Sequence, residues 1–366
     1  MLFITQKVDK DDDILGVYHR WIEKLAERLD MVYVICLYKG CVELPANVEV
    51  FSLGKEKLSS ADLRGYRRGL ARIKYSLRFW RYIWRLRRNC DAVFVHMNPI
   101  YVVLGGLFWK ALGKRVLLWY NHPLGGLTAK AGILFADKVF CTSPHSFSAK
   151  YKKTSLMPAG IDTNFFRPMP EVSKDNKRIL CLGRISPIKN IEHLIQAAEM
   201  LYNQGLDFKV LIVGSAGPSA IDKEYELRLK KMSADLSARG RVEFKQAIPN
   251  GKTPEVYNSS GIFVNLTPTG SFDKTILEAM ACGLPVLVSN KALADVVPGE
   301  YKSLVFFKEK DAVDLAEKIN ACLKIPQKER EKLGELTRQA VLEKHSLLLL
   351  AGRLADFVRD HSYDSR

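Results

Sequence analysis

The 366-residue chain lacks several things that would send its interpretation elsewhere. No C-x-x-C pair occurs among its seven cysteines, which are odd in number and scattered. That excludes a zinc-ribbon or disulfide-framed domain and suits a reducing cytosol. No stretch approaches the roughly 18 uncharged apolar residues of a membrane span. The nearest, Pro99–Trp109, is short, contains two glycines and reads as a buried helix. The N-terminus, Met-Leu-Phe-Ile-Thr turning polar at Gln6–Asp13, reads as a first strand without the basic-then-apolar layout of a signal peptide. No short-period repeat or low-complexity tract is present. Acid is scarce in one place above all: Arg64–Arg88 holds ten lysines and arginines and no aspartate or glutamate.

What is present is a chain that is 47% hydrophobic and long enough for two cores. The net charge of +16 is uneven, because residues 1–165 carry 26 Lys and Arg against 14 Asp and Glu. A basic first half implies an anionic partner. Short apolar runs alternate with amphipathic stretches. Strands are expected at Leu2–Thr5, Val32–Leu37, Ala92–His96, Val116–Trp119 and Lys138–Thr142, then at Ile179–Leu182, Lys209–Val213, Gly261–Asn265 and Pro285–Ser289. Helices are expected at Tyr18–Leu29, Pro144–Tyr151, Ile191–Asn203, Glu224–Arg239, Ala312–Leu323 and His345–Asp360. Such alternation implies parallel sheets covered on both faces. The series runs twice, with a break at Pro158–Pro170, so the expectation is two doubly wound, Rossmann-like domains facing a central cleft.

Two segments of the second half carry phosphate chemistry. In Ile179-Leu-Cys-Leu-Gly-Arg-Ile-Ser-Pro-Ile-Lys-Asn190 a strand ends at Gly183. Arg184 then offers a planar fork for phosphate oxygens, and Lys189 a point charge near a helix start. An isolated pair of this kind also fits a solvated basic loop. In Thr269-Gly-Ser-Phe-Asp-Lys-Thr-Ile-Leu-Glu-Ala-Met-Ala-Cys-Gly-Leu-Pro285 a small-residue turn opens a helix closed by Gly283. Backbone amides at Phe272–Thr275 would form a second anion-binding helix start, and Glu278 sits one turn inside.

Taken together these residues resemble glycosyltransferase family 4, retaining enzymes of the GT-B fold. Pro158–Pro168 resembles the family's interdomain segment, and Leu182–Asn190 its diphosphate loop. Leu211–Gly217 is similar to its glycine turn, and Val242–Ile248 to the strand ending against the base. Leu277–Pro285 resembles the second half of its paired-glutamate motif. The resemblance implies a donor site of Gly183, Arg184, Lys189, Gly214, Ala247, Ile248, Ser271, Phe272, Lys274, Thr275 and Glu278, with Glu278 on the ribose. The family's first glutamate falls at Gly270, and Asp273 on the same turn is the candidate replacement. In the first half, His122 in Val116-Leu-Leu-Trp-Tyr-Asn-His-Pro123 matches the family's loop histidine. That implies catalytic roles for His122 and Asp273 at the sugar. His96 and His145 are weaker candidates, and Gly16 with Asp11–Asp13 occupies the family's acceptor-side loop or simply caps the next helix.

The implied organisation is an acceptor-binding domain over 1–160, a donor-binding domain over 161–345 and a terminal segment, 346–366, crossing back to the first. The implied reaction is retaining transfer from a UDP- or GDP-sugar to a glycan or polyprenyl-linked acceptor. No metal or other cofactor is required, since cations hold the diphosphate. Within Arg64–Arg88, Leu70, Ile73, Leu77, Trp80 and Trp84 recur at helical spacing and are expected to pack on the sheet, leaving basic, aromatic flanks. Such flanks suit an anionic membrane surface and a peripheral place on the inner face of the cell membrane; the bland reading is a solvated basic face. Nucleic acid is disfavoured because no recognised module accompanies the patch. Two rival readings are a degenerate GT-B protein binding anionic membrane or nucleic acid, and a nucleotide-sugar epimerase.

Overall fold

The computed structural model describes residues 1–57, 65–270 and 273–359, with the side chains of 65–68 outside that description. Arg64, Ser271 and Phe272 therefore lie outside the described residues, as do the side chains of Arg67 and Arg68. Two compact units emerge: Met1–Gly160 together with the segment from Leu347, and Ile161–Ser346. All seven cysteines are free thiols. No helix among the described residues is long and apolar enough to cross a membrane.

The first unit contains strands β1 (Leu2–Val8), β2 (Val32–Lys39), β3 (Val48–Ser52), β4 (Ala92–His96), β5 (Arg115–Trp119), β6 (Lys138–Cys141) and β7 (Thr154–Leu156). They form one sheet in the order β3-β2-β1-β4-β5-β6-β7, and every pairing is parallel. Parallel strands need crossovers, which helices α1 (Val17–Ala26), α2 (Gly65–Arg85), α3 (Pro99–Ala111) and α4 (Leu127–Phe135) supply. Successive strand residues point to opposite faces, so Phe3 joins one core while Leu2 and Ile4 join the other. The face of Phe3 is covered by Trp21, Ile22 and Leu25 of α1 and by Leu347, Leu350 and Leu354 of the terminal helix. The opposite face is covered by α2, α3 and α4 through Phe79, Ile83, Val102, Trp109 and Ile133.

The second unit has β8 (Asp175–Leu182), β9 (Lys209–Val213), β10 (Val242–Lys245), β11 (Ser260–Asn265) and β12 (Val286–Val288), in the order β10-β9-β8-β11-β12. All of these pairings are parallel too. Its helices are α5 (Glu192–Asn203), α6 (Ala220–Met232), α7 (Ala234–Ala238), α8 (Thr253–Asn258), α9 (Lys274–Ala281), α10 (Lys302–Val305), α11 (Ala312–Lys324) and α12 (Gln327–His345); α13 (Leu347–Arg359) is the terminal helix of the first unit. Strand order reverses between β8 and β11. In open parallel sheets the ends of the two strands at such a reversal diverge and leave room for a ligand.

Four sequence expectations give way here. Pro144–Tyr151 is not a helix but a short 3-10 turn at Phe147–Lys150, because serine side chains compete for the backbone: Ser143 Oγ accepts the His145 N–H. Glu224–Arg239 breaks into α6 and α7 at Ser233, whose hydroxyl donates to the Leu229 carbonyl. The third concerns α2. Leu70, Ile73, Leu77, Trp80 and Trp84 do not pack on the sheet; all five are exposed, Leu77 at 65% and Trp84 at 59%. The buried stripe is Ala71, Phe79, Ile83 and the following Leu86, about half a turn round the helix, with Tyr75 and Tyr82 partly buried beside it. Similarly, α3 is not buried all round: Ile100 and Leu107 face outward.

This register has a measurable consequence. Phe79→Ala, at 0% exposure, is expected to cost about 3–5 kcal/mol in urea unfolding. Leu77→Ala, two residues away, is expected to change stability by about 0.5 kcal/mol or less. Equal losses at the two positions would refute the orientation of α2.

Candidate functional site

The carboxyl ends of β8, β9, β10 and β11 bring together most of the residues singled out in the second half. The chain leaving β8 bonds to the end of β9, and the chain leaving β9 to the end of β10. The Gly183 N–H donates to Val213 O and the Gly214 N–H to Lys245 O, both at 3.0 Å. One step further, the Ile185 N–H donates to Ser215 O at 3.0 Å. A β-carbon on Gly214 would stand 2.0 Å from Gly183 O, so the chain can approach this closely only without a side chain. Ser215 extends the edge: its hydroxyl donates to Gln246 Oε1 at 2.9 Å and accepts the Ala247 N–H at 3.0 Å. Ala247 and Ile248 are half-buried beside it. Arg184 leaves this edge exposed, and its guanidinium has no ion pair or hydrogen bond among the described residues.

Lys189 is placed differently. It ends a 3-10 turn, Pro187–Lys189, after which Asn190 adopts a left-handed conformation (φ 49°) and donates from its side chain to Leu266 O at 3.2 Å. The chain thereby folds back against the end of β11. There Lys189 Nζ pairs with the Asp273 carboxylate and donates to Thr267 Oγ1 at 3.3 Å. Asp273 also accepts from Asn265 Nδ2 at 2.8 Å, from Thr267 Oγ1 at 3.1 Å and from Thr275 Oγ1 at 2.9 Å. Burial alone would raise its pKa. The Lys189 charge and the donated hydrogen bonds outweigh burial and hold the carboxyl down at about 2.

Asp273 is thus the N-cap of α9, accepting the Thr275 N–H at 3.3 Å, and its carboxylate is committed to an internal network. The helix starts are less open than the sequence suggests. The Thr275 amide is already taken, and at the start of α5 the Ile191 N–H donates to Tyr225 Oη at 2.7 Å while Tyr225 donates to Glu192. Lys274 and Thr275 are half-buried at the first turn of α9. Glu278, in the middle of α9, is 4% exposed and accepts from Tyr257 Oη at 3.1 Å. Burial, with the Glu278 charge added, drives the Tyr257 hydroxyl well above its ordinary pKa, so it remains a donor. Gly270, at the position of the family's first glutamate, takes φ 100°, a conformation that suits glycine.

Sequence reasoning missed Asn265, Thr267, Ser215 and Tyr257. The signal for the first two was legible: polar residues at the end of an otherwise apolar, fully buried strand. Ser215 and Tyr257 carried no comparable signal.

In the first unit, His122 is exposed in the loop after β5, with Nδ1 3.0 Å from the Leu124 N–H. His96 is buried, with its ring 4.1 Å from Tyr18 and 5.6 Å from Trp21, inside an aromatic cluster. His145 is exposed. In the acidic loop, Asp12 accepts the N–H groups of Ile14 and Leu15 and pairs with Lys7. No group of three or more His, Cys, Asp or Glu placed to hold a metal occurs among the described residues.

This architecture is shared along the whole chain with solved structures. Sucrose-phosphate synthase from Thermosynechococcus elongatus superposes with a TM-score of 0.77 at 19% identity, covering 98% of both chains. Anabaena Alr3699/HepE in complex with UDP and glucose superposes with a TM-score of 0.74 at 16% identity, covering 97% of this chain and 98% of that one. The fold is GT-B. Within it, residues 162–340 match the model of the family described as Glycosyl transferases group 1. Curated relatives agree over part of their length. The D-inositol 3-phosphate glycosyltransferase of Acidothermus cellulolyticus is 27% identical over 155 residues, 39% of this chain and 34% of that protein. The GDP-mannose-dependent alpha-(1-6)-phosphatidylinositol monomannoside mannosyltransferase of Mycolicibacterium smegmatis is 29% identical over 178 residues, 44% of this chain and 45% of that protein. The matches thus span between 31% and 50% of the length of the first relatives.

The buried pair makes stability depend on acid. The Asp273 carboxyl lies at about 2 in the folded chain against an ordinary 3.8, so it stabilises the fold above pH of about 4 and that contribution disappears as pH falls through about 2. Asp273→Asn is expected to lower stability by about 3 kcal/mol at pH 7, leaving Lys189 unpaired. The gap between variant and wild type should narrow between pH 4 and pH 2 in thermal melts. A gap that stays constant down to pH 2 would contradict the pairing.

Proposed function

We propose that the chain is a glycosyltransferase that moves a sugar from a nucleotide-diphosphate donor, a UDP- or GDP-sugar, to a glycan or lipid-linked saccharide acceptor. The observation that carries this reading is the exposed, unpartnered Arg184 guanidinium beside the Gly183–Gly214 edge, with Lys189 fixed near it at the strand-order reversal. An exposed planar fork at a backbone edge without side chains suits a diphosphate, whose oxygens take paired N–H donors.

In such a transfer the bond between the sugar's anomeric carbon and the diphosphate oxygen breaks, a bond from the acceptor hydroxyl oxygen to that carbon forms, and the hydroxyl proton passes to the departing diphosphate oxygen. Negative charge grows on the diphosphate as it departs. Arg184 meets that charge directly. Lys189 keeps donor capacity beyond its pairing with Asp273, and Asp273 acts as a positioning residue that holds the ammonium in place before the donor arrives. Cations already in position leave no need for a metal to neutralise the leaving group. Retention of the anomeric configuration, with the acceptor entering on the face the diphosphate leaves, follows from the resemblance to glycosyltransferase family 4. Glu278, buried against Tyr257, is assigned to the ribose end.

The names of relatives support the substrate class: one is named for GDP-mannose and a phosphatidylinositol monomannoside, another for D-inositol 3-phosphate. A thermal-shift screen of UDP-, GDP- and ADP-sugars is expected to find one stabilising donor. With that donor and an acceptor, Arg184→Ala is expected to lower kcat about a hundredfold, the usual effect of losing one stabiliser of developing charge. No stabilisation by any nucleotide sugar, with Arg184→Ala changing nothing, would sink the reading. Nucleotide release without any acceptor glycan would favour an epimerase on the same scaffold.

A further inference from the structure

One side of the first unit is built in a way that the donor site does not explain. Helices α2, α3 and α4 pack on the same face of its sheet through a single core. Their outward sides therefore look the same way, and each is apolar where a solvated helix would be polar. On α2 the outward stripe is Leu70, Ile73, Leu77, Trp80 and Trp84. On α3 it includes Ile100 and Leu107, and on α4 Leu127 and Leu134, the last two at 84% and 70% exposure. The layer is continuous, because Phe108 of α3 lies 5.7 Å from Trp80 and 5.9 Å from Trp84, and Phe135 of α4 lies against Gly106 of α3. Nine of the nineteen large apolar side chains exposed among the described residues lie on these three helices. Such concentration on one face marks a contact surface, since single exposed leucines are ordinary and a cluster is not.

The charge of the same region says what it contacts. Between Leu63 and Ala136 the sequence carries fourteen lysines and arginines and a single acid, Asp91. Lys74 and Arg81 flank the outward stripe of α2, Arg88 follows in the turn after it, and none of the three has an acidic partner among the described residues. Arg87 stacks over the Trp84 ring, 4.5 Å from its centroid, a posture in which a tryptophan sits at a polar–apolar boundary with a cation beside it. A second copy of this basic face would repel itself. Nucleic acid would answer the cations and leave the leucines in water. A phospholipid surface with anionic headgroups answers both, taking the leucines among its acyl chains, the tryptophans at headgroup level and the cations against its charge.

We propose that the outward face of α2, α3 and α4 inserts shallowly into an anionic phospholipid bilayer and holds the first unit on its surface. This stands apart from the transfer reaction, so its failure leaves the donor reading untouched. The five tryptophans provide an internal probe. Trp21, Trp109 and Trp119 are buried in the two cores, and only Trp80 and Trp84 are exposed. The purified full chain is mixed with vesicles of phosphatidylcholine alone and with equimolar phosphatidylcholine and phosphatidylglycerol, with and without bromine-labelled acyl chains.

Sedimentation with the anionic vesicles is expected, strongest at low salt, together with bromine quenching of fluorescence that disappears in the Trp80→Phe, Trp84→Phe double variant. Leu77→Gln combined with Leu107→Gln is expected to weaken partition about tenfold or more, since two large apolar groups lose their burial. Arg81→Gln combined with Arg88→Gln is expected to weaken it about tenfold on anionic vesicles alone. The exposed Leu348 on α13, which packs on the other face of the sheet, serves as control: Leu348→Gln should bind as wild type does. All the altered side chains are exposed, and unchanged melting temperatures would verify intact folding. A chain that stays in solution with both vesicle types at low salt overturns the proposal. So does binding without bromine quenching, or with the Leu77 and Leu107 pair having no more effect than Leu348→Gln, because either outcome means adsorption by charge alone.

Discussion

The strand-reversal end of the second unit is organised around one part-buried ion pair. Lys189 comes from the loop after β8 and Asp273 from the turn after β11, and these two strands are neighbours at the point where strand order reverses. Divergence of the two loops at such a reversal leaves an open notch. The ion pair closes it, together with the Asn190 side chain, which donates to Leu266 O at 3.2 Å. The pair is enclosed by Asn265, Thr267 and Thr275, so the carboxylate has its lone pairs satisfied and burial does not neutralise it. The same carboxylate caps α9 and so fixes the helix that carries Glu278. One group therefore sets the positions of a cation, a helix start and a buried acid together.

That commitment changes what Asp273 contributes. An acid already shared among a lysine, an amide and two hydroxyls is a fixed anchor, and in the proposed reaction it works through Lys189. Arg184 is left exposed where β8 ends, with no ion pair or hydrogen bond among the described residues. Glycine at 214 is demanded by the 2.0 Å approach of Gly183 O, so the same feature that closes the sheet edge also clears it of side chains.

The first unit answers a different constraint. Its sheet is covered on one face by α1 and α13, where the layer closes over a single aromatic and aliphatic core. On the other face the covering helices have two apolar sides each, one facing the sheet and one facing outward. Covering a sheet requires only the first. The second, with its excess of unpaired cations, is the sort of surplus that a fold keeps when something outside the chain completes the burial.

Much of the fold was legible in the residues. Continuous apolar runs bounded by polar turns placed β4 and β9 to the residue, since a strand buried on both faces has no reason to alternate. The two edge strands of the first sheet were not legible: β3 reads Val-Glu-Val-Phe-Ser and β7 only Thr-Ser-Leu, and neither is buried along its length. The glycines at 183 and 214 and the Arg184 and Lys189 spacing are likewise sequence properties, whereas the capping of α9 by Asp273 emerged only in the structure. The sequence did not determine partners. Whether Lys189 stood free or paired depended on where β8 and β11 lay in the sheet, a contact 84 residues apart along the chain. Nor did periodicity decide which side of α2 faced inward. Leu70–Leu77–Trp84 and Tyr75–Phe79–Leu86 both satisfy helical spacing, and only the shape of the sheet and of α3, which admits Phe79 beside Trp109, selects between them.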